Sequence, residues 1–175
     1  EFYPTPDAAI RKMIAPFEKE LRNKNILEPS AGSGNILDYI CKDSVYGSCG
    51  VSKQKVYAIE KNGDLTYILQ GKGYRILSND FLTYKPVHSF DLILMNPPFS
   101  NGDEHLLHAW EIMHKGDIVC LLNAETINNA YTKRRQLLSE IIAQNGSVEM
   151  LDNCFSRAER KTDVNVVLVR LHKDS

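Results

Sequence analysis

Apolar residues fall along this chain in two alternating patterns: short unbroken runs, and longer stretches with apolar positions three or four residues apart. The runs Ile26-Leu27, Val56-Tyr57-Ala58-Ile59, Ile76-Leu77, Leu92-Ile93-Leu94-Met95 and Ile118-Val119-Cys120-Leu121-Leu122 each read as a buried strand. The stretches between them read as helices. Ala9, Ile10, Met13, Ile14, Phe17 and Leu21 share a helical face that Pro16 kinks or delays, with Thr5 as N-cap and Pro6 in the first helical position. Ile36, Leu37 and Ile40 form the next face, and Leu65, Ile68 and Leu69 another that ends at Gly71 and Gly73. Leu106, Ala109, Trp110 and Met113 follow, then Leu137, Leu138, Ile141 and Ile142 in a helix predicted over 132–144 and ended by Asn145-Gly146.

Segments 42–55, 100–103 and 125–131 read as loops. Val148–Leu151 and Val164–Leu171 read as two last strands with no helix between them, which predicts an antiparallel pair. Strands alternating with helical crossovers build a parallel sheet with right-handed connections. The expectation is an α/β, Rossmann-like protein with a doubly wound seven-stranded sheet, mostly parallel with one antiparallel strand, in one domain over 1–175.

Composition narrows the class. With 175 residues, 43% hydrophobic and 25% charged, the chain can bury a full core. No apolar run is long enough to span a bilayer and no signal-peptide pattern opens the chain, so no membrane partner is expected. Cys41, Cys49, Cys120 and Cys154 show no CxxC spacing and read as reduced thiols of a cytoplasmic protein, not as a zinc site or disulfide framework. His105, His108 and His114 lack an acidic triad or cysteine partner; they read as solvated helix residues, and no metal is expected. A net charge of −1 gives no global basic field. A nucleic-acid partner would rely on local groups such as Lys133-Arg134-Arg135 or Arg157, Arg160 and Lys161.

Candidate chemistry gathers where strands end. In open parallel sheets, ligands bind outside the carboxyl ends of the strands. The fourth strand stops at Asn96-Pro97-Pro98-Phe99, where two prolines force a rigid extended turn. The first strand runs into Glu28-Pro29-Ser30-Ala31-Gly32-Ser33-Gly34, whose glycines allow close backbone approach ahead of a helix N-terminus. That loop lacks the Lys-Ser/Thr of a triphosphate site and the full GxGxxG pattern of a dinucleotide site. Glu28 would repel a pyrophosphate and suits a cationic or hydroxyl-bearing ligand. Glu60 ends the second strand, where it either accepts from ribose hydroxyls or caps the next helix. Asp80-Phe81 follows the third strand and reads either as a base-binding pair or as a simple turn. Tyr131 and Phe155 near the strand ends are candidates for lining a target pocket.

In this order and spacing, Phe2-Tyr3-Pro4-Thr5-Pro6, Glu28–Gly34, Glu60, Asp80-Phe81 and Asn96–Phe99 resemble the catalytic domain of S-adenosylmethionine-dependent amino-methyltransferases of the gamma-type DNA N6-adenine class. The resemblance covers essentially the whole chain and implies a class I methyltransferase fold with S-adenosylmethionine as cofactor. It also implies a restriction-modification or mobile-element setting. It places Tyr3, Thr5, Ser30, Ala31, Gly32 and Gly34 by the methionine part of the cofactor, Glu28 near its cationic amine, Glu60 on the ribose, and Asp80 and Phe81 at the adenine. Asn96 and the Pro97 carbonyl would accept from the target amine, Pro98 would stiffen the turn, and Phe99 would stack on a base flipped from DNA. Many relatives carry Tyr where this chain has Phe99; the stacking face is kept and a hydroxyl is lost. Such enzymes carry a target-recognition domain after the last strand, so sequence-specific DNA reading is expected to need an additional domain or a separate specificity subunit. The alternatives are an RNA adenine or protein glutamine N-methyltransferase, which share an NPP-aromatic turn, and a non-catalytic cofactor-binding subunit.

Overall fold

The strand nearest the middle of the sheet, β4 (Leu92–Met95), is buried on both faces, all four residues having 0% exposure. The computed structural model describes residues 4–42, 50–151 and 165–175. In chain order the elements are α1 (Asp7–Ile14), β1 (Ile26–Glu28), α2 (Asn35–Cys41), β2 (Val56–Ile59), α3 (Gly63–Gly71) and β3 (Arg75–Ser78), followed by β4. Then come α4 (Gly102–Ile112), β5 (Gly116–Asn123), α5 (Ala124–Asn128), α6 (Lys133–Asn145), β6 (Gly146–Met150) and β7 (Val166–Lys173).

The sheet has the order β3-β2-β1-β4-β5-β7-β6. β1 pairs in parallel with both β2 and β4, β2 with β3, and β4 with β5. β7 inserts antiparallel between β5 and β6, in line with the antiparallel pair expected from the sequence. The chain builds outward from β1 through β2 to β3, then returns to lay β4 on the other side of β1. The strand order therefore reverses between β1 and β4, the kind of switch point that opens a crevice at the carboxyl edge.

The period of two divides each strand between two cores. Leu92 and Leu94 of β4 join Val119 and Leu121 of β5 in a cluster with Ile10 and Met13 of α1 and Ile36 and Leu37 of α2. Ile93 and Met95 join Ile118, Cys120 and Leu122 in a second cluster with Leu106 and Ala109 of α4 and Leu138 and Ile142 of α6. Helices thus cover both faces, which is why the central strands are continuous apolar runs.

Several expectations change. Thr5 does not cap α1: Pro6 occupies the N-cap position, and its carbonyl accepts from Ala9 and Ile10, both at 3.0 Å. Pro16 ends the helix instead of kinking it. Ala15–Phe17 forms a 3-10 turn, and Leu21 is buried from a separate 3-10 turn, Leu21–Asn23. The predicted 125–131 loop contains α5, held by the Asn123 side chain accepting from Glu125 N at 3.0 Å. The predicted 100–103 loop is a 3-10 turn, Phe99–Asn101, that passes directly into α4. Leu137 points outward, 50% exposed, while Leu138 is fully buried. His105 and His108 are not solvated: the first is 8% exposed, and His108 is half-buried. Tyr3, Cys49, Cys154, Phe155, Arg157, Arg160 and Lys161 lie outside the described residues. No helix among those described is long and apolar enough to cross a membrane.

Candidate active site

A cavity of about 390 Å³ opens at the switch point, within the range of small-molecule sites. Its walls come from the ends of β1, β2, β3 and β4 together with the start of α4.

The β4 end supplies the turn. Asn96 follows the last buried strand residue, and its Nδ2 donates to Thr5 Oγ1 at 2.8 Å. Thr5 is only 6% exposed, so this bond is largely shielded from water. With Nδ2 turned to Thr5, the carbonyl Oδ1 occupies the opposite branch of the amide. Pro97 is buried, and its ring approaches the start of α4, where a Cβ on Gly102 would meet Pro97 Cγ at 3.6 Å and Leu122 Cδ2 at 2.6 Å. Glycine here lets the helix start close against the turn. Asn96, Pro97 and Pro98 all line the cavity. Phe99 does not; it is half-buried against the hydrophobic core.

The β1 end supplies the glycine loop. Gly32 and Gly34 have φ of 59° and 96°, a left-handed backbone that favours glycine. The loop is tied at several points. Ala31 N donates to Ile59 O at 3.1 Å, and Gly32 N donates to Glu60 Oε1 at 2.7 Å. From outside, Lys72 Nζ donates to Ser33 O at 2.7 Å and to Asp38 Oδ2 at 2.6 Å, while Tyr74 OH donates to Asp38 Oδ1 at 2.6 Å. Burial and this bond to Asp38 push the Tyr74 phenol well above its ordinary range.

Glu60 ends β2 with both oxygens engaged, because Oε2 also accepts from Asn62 N at 2.8 Å. It does not cap α3; the Asn62 side chain does, accepting from Leu65 N at 3.0 Å. A carboxylate oxygen has two lone-pair sites, so Glu60 keeps capacity for a ligand hydroxyl. Asp80 follows β3 and accepts from Leu82 N at 3.1 Å, capping the 3-10 turn Phe81–Thr83. Phe81 is 3% exposed and lies edge-on to His108, ring centroids 4.8 Å apart.

Glu28 is the least hydrated of these groups. It is 1% exposed, lines the cavity, and its Oε1 has no hydrogen-bond partner among the described residues. Burial, followed by the negative charges of Glu60 and Asp38, pushes its carboxyl well above the usual carboxylate range. A buried carboxyl oxygen without a partner calls for a donor, best a cationic one.

Of the residues singled out in sequence, Thr5, Glu28, Ser30, Ala31, Glu60, Asp80, Phe81, Asn96, Pro97 and Pro98 meet in this cavity, and Gly32 and Gly34 shape its loop. Asn35, Asn62, Asn79, Asn101 and His105 line it too and were not expected. His105 was within reach of sequence reasoning, since it lies one helical turn before Ala109, on the same face. Tyr131 is 70% exposed and lies outside the cavity, with the Arg135 guanidinium 5.0 Å above its ring. Among the described residues, no group of three or more His, Cys, Asp or Glu side chains is placed to hold a metal ion.

The family model described as "methyltransferase small domain" matches residues 4–125. Ribosomal RNA small subunit methyltransferase C of Pectobacterium atrosepticum is 25% identical over 164 residues, covering 88% of this chain and 46% of that protein. The chain thus spans about half the length of this curated relative. Among solved structures, a dimethyladenosine transferase from Plasmodium falciparum superposes with a TM-score of 0.69 at 16% identity, covering 99% of this chain and 64% of that one. The M protein of the type I restriction enzyme EcoKI gives a TM-score of 0.69 at 12% identity, covering 98% and 44%. Both likenesses bear on the fold.

S-adenosylmethionine is the cofactor of proteins built this way, and the residues present fit it. The cavity offers Glu28, buried and with Oε1 unpartnered among the described residues, for a cation, Glu60 for vicinal hydroxyls, and the Phe81 ring for a purine.

Proposed function

The chain belongs to the methyltransferase small domain family, and from that premise we propose that it methylates an exocyclic amine of a nucleobase, with the N6 amine of adenine in DNA as first substrate. The observation that carries this reading is the convergence of Asn96, held to Thr5 through its Nδ2, and Pro97 on the cavity that Glu28, Glu60 and Asp80 also line. An exocyclic amine is a weak nucleophile, because its lone pair is delocalised into the ring. Two acceptors on its hydrogens, Asn96 Oδ1 and the Pro97 carbonyl, draw the nitrogen towards tetrahedral geometry and localise that pair. Proline suits the second position, having an acceptor and no donor to compete. The bound cofactor supplies an electrophilic methyl on a sulfonium. The chain's own part is positioning and electrostatic stabilisation, since it holds the amide and the turn rigid. Glu28 would receive the cofactor's ammonium, Glu60 its ribose, and the Gly32–Gly34 backbone would pass close to its methionine portion.

A second reading places the amine in RNA. It is favoured by the relatives whose names specify ribosomal RNA methylation and dimethyladenosine formation. The test is transfer of tritiated methyl from S-adenosylmethionine to DNA, RNA and protein acceptors in parallel, with Asn96→Ala as control. Label in DNA adenine supports the first reading, and label only in RNA supports the second. Label only in protein glutamine, or cofactor binding with no turnover on any acceptor, overturns both. Full activity in Asn96→Ala would sink the mechanism whatever the acceptor.

A further inference from the structure

Two aromatic rings line the cavity, Phe81 and His105, with centroids 6.0 Å apart and planes 28° from parallel. Ile59, Leu65 and Leu82 add aliphatic surface to the same cavity. A purine is flat and gains most against aromatic and aliphatic faces, so the adenine of the cofactor belongs here.

The polar edge of His105 has a defined direction. Its Nδ1 lies 3.0 Å from the carbonyl oxygen of Asn101, one turn earlier on the chain. A carbonyl can only accept, so Nδ1 carries the hydrogen. The ring is 8% exposed, and burial holds its pKa below the ordinary histidine range, which keeps it neutral near pH 7. In a neutral ring with hydrogen on Nδ1, Nε2 is a bare acceptor, and among the described residues it has no hydrogen-bond partner. Asp80, the acceptor beside Phe81, already uses Oδ1 to hold the backbone of Leu82. An adenine amine brings two N–H groups and calls for a further acceptor.

We propose that Nε2 of His105 accepts a hydrogen bond from the 6-amino group of the cofactor's adenine, so that His105 selects an adenine cofactor against a 6-oxopurine one. The proposal rests on the reading of S-adenosylmethionine as cofactor. A 6-oxopurine would set a carbonyl lone pair against the lone pair of Nε2, so rejection comes from repulsion as well as from a lost bond. Turning Nε2 into a donor would require breaking the Asn101 bond or charging a buried ring, and both are unfavourable.

The experiment compares the binding of S-adenosylhomocysteine and its 6-oxo analogue, S-inosylhomocysteine, to the wild-type chain, His105→Phe and His105→Gln. Wild type is expected to prefer the adenine ligand. His105→Phe keeps a ring but loses the acceptor, and its preference is expected to fall about tenfold. His105→Gln places an amide near the Nε2 position and is expected to retain a substantial part of it. Unchanged preference in a folded His105→Phe overturns the proposal, and so does an equal loss of both ligands. If His105→Phe does not fold, nitrogen NMR of histidine-labelled wild type decides. The Nε2 resonance should move upfield on adding S-adenosylhomocysteine and not on adding the 6-oxo ligand; no movement with either overturns the proposal. Wild type that binds neither ligand overturns the cofactor reading itself, an outcome distinct from loss of selectivity alone.

Discussion

Thr5 and Asn96 stand 91 positions apart in the chain and are joined by a hydrogen bond of 2.8 Å. The bond links the entry to α1 with the end of β4, and it tethers the amide of the Asn96–Phe99 turn. Thr5→Val keeps shape and removes the partner. The expected result is a drop of about tenfold in kcat, with S-adenosylmethionine affinity changed by less than about threefold, while Thr5→Ser stays near wild type. Steady-state kinetics against cofactor concentration checks this. Loss of cofactor affinity at unchanged kcat would assign Thr5 to cofactor binding alone.

Lys72 works from behind the glycine loop. Its ammonium bridges Ser33 O and Asp38, and Asp38 is held in turn by Tyr74. Lys72→Met should free the loop and weaken S-adenosylmethionine binding about fivefold, with kcat at saturating cofactor nearly unchanged. The lysine side chain is 36% exposed, so solvent screening limits its effect on global stability to below ~1 kcal/mol. Calorimetric titration beside thermal unfolding separates the two effects. A large fall in melting temperature with unaltered affinity would make Lys72 a fold residue only.

The sheet was legible because β4 and β5 are unbroken apolar runs and because Gly71, Gly73, Pro97 and Pro98 punctuate the chain. Thr5 misled because Thr-Pro-Asp before an apolar helix is a good local cap signal, while its real partner is distant in sequence. His105, with His108 and His114 nearby and no acidic or cysteine partner in sequence, reads as a solvated helix residue. Its spacing of four from Ala109 carries the better signal. α5 is five residues long, too short for periodicity to show, and Leu137 lies beside an apolar stripe that does not include it. The acid-bearing strand ends were recognisable one by one. That Glu60 tethers Gly32, and Lys72 clamps Ser33, depends on side chains crossing between elements, which no local pattern encodes.

The basic group at the start of α6 divides by role. Arg135 donates to the carbonyls of Glu125 and Asn129, and Arg134 lies 4.0 Å from Asp103, whereas Lys133 is exposed. If the group holds phosphates, Lys133→Gln should weaken nucleic-acid binding uniformly across sequences. It should also reduce the slope of log affinity against log salt by about one. Fluorescence anisotropy at several salt concentrations measures both, and an unchanged slope removes Lys133 from the interface.

Glu28 couples the cavity to pH. Burial first, then the charges of Glu60 and Asp38, raises its folded-state pKa well above the ordinary 4.5. Below the unfolded value the carboxyl is protonated in both states and costs nothing. As pH rises from there to the raised folded value, the unfolded chain ionises first and the folded state loses stability. Glu28→Gln removes that loss, so the variant should melt higher than wild type at neutral pH, with the difference shrinking towards pH 4. A bound cation reverses the preference, because it favours the carboxylate. S-adenosylmethionine binding to wild type should therefore release a proton and tighten as pH rises towards the apo value of Glu28. In Glu28→Gln affinity should fall and this proton release should vanish. Titration calorimetry in two buffers of different ionisation enthalpy reads the proton count. An identical count in wild type and variant would take Glu28 out of the cofactor's charge balance.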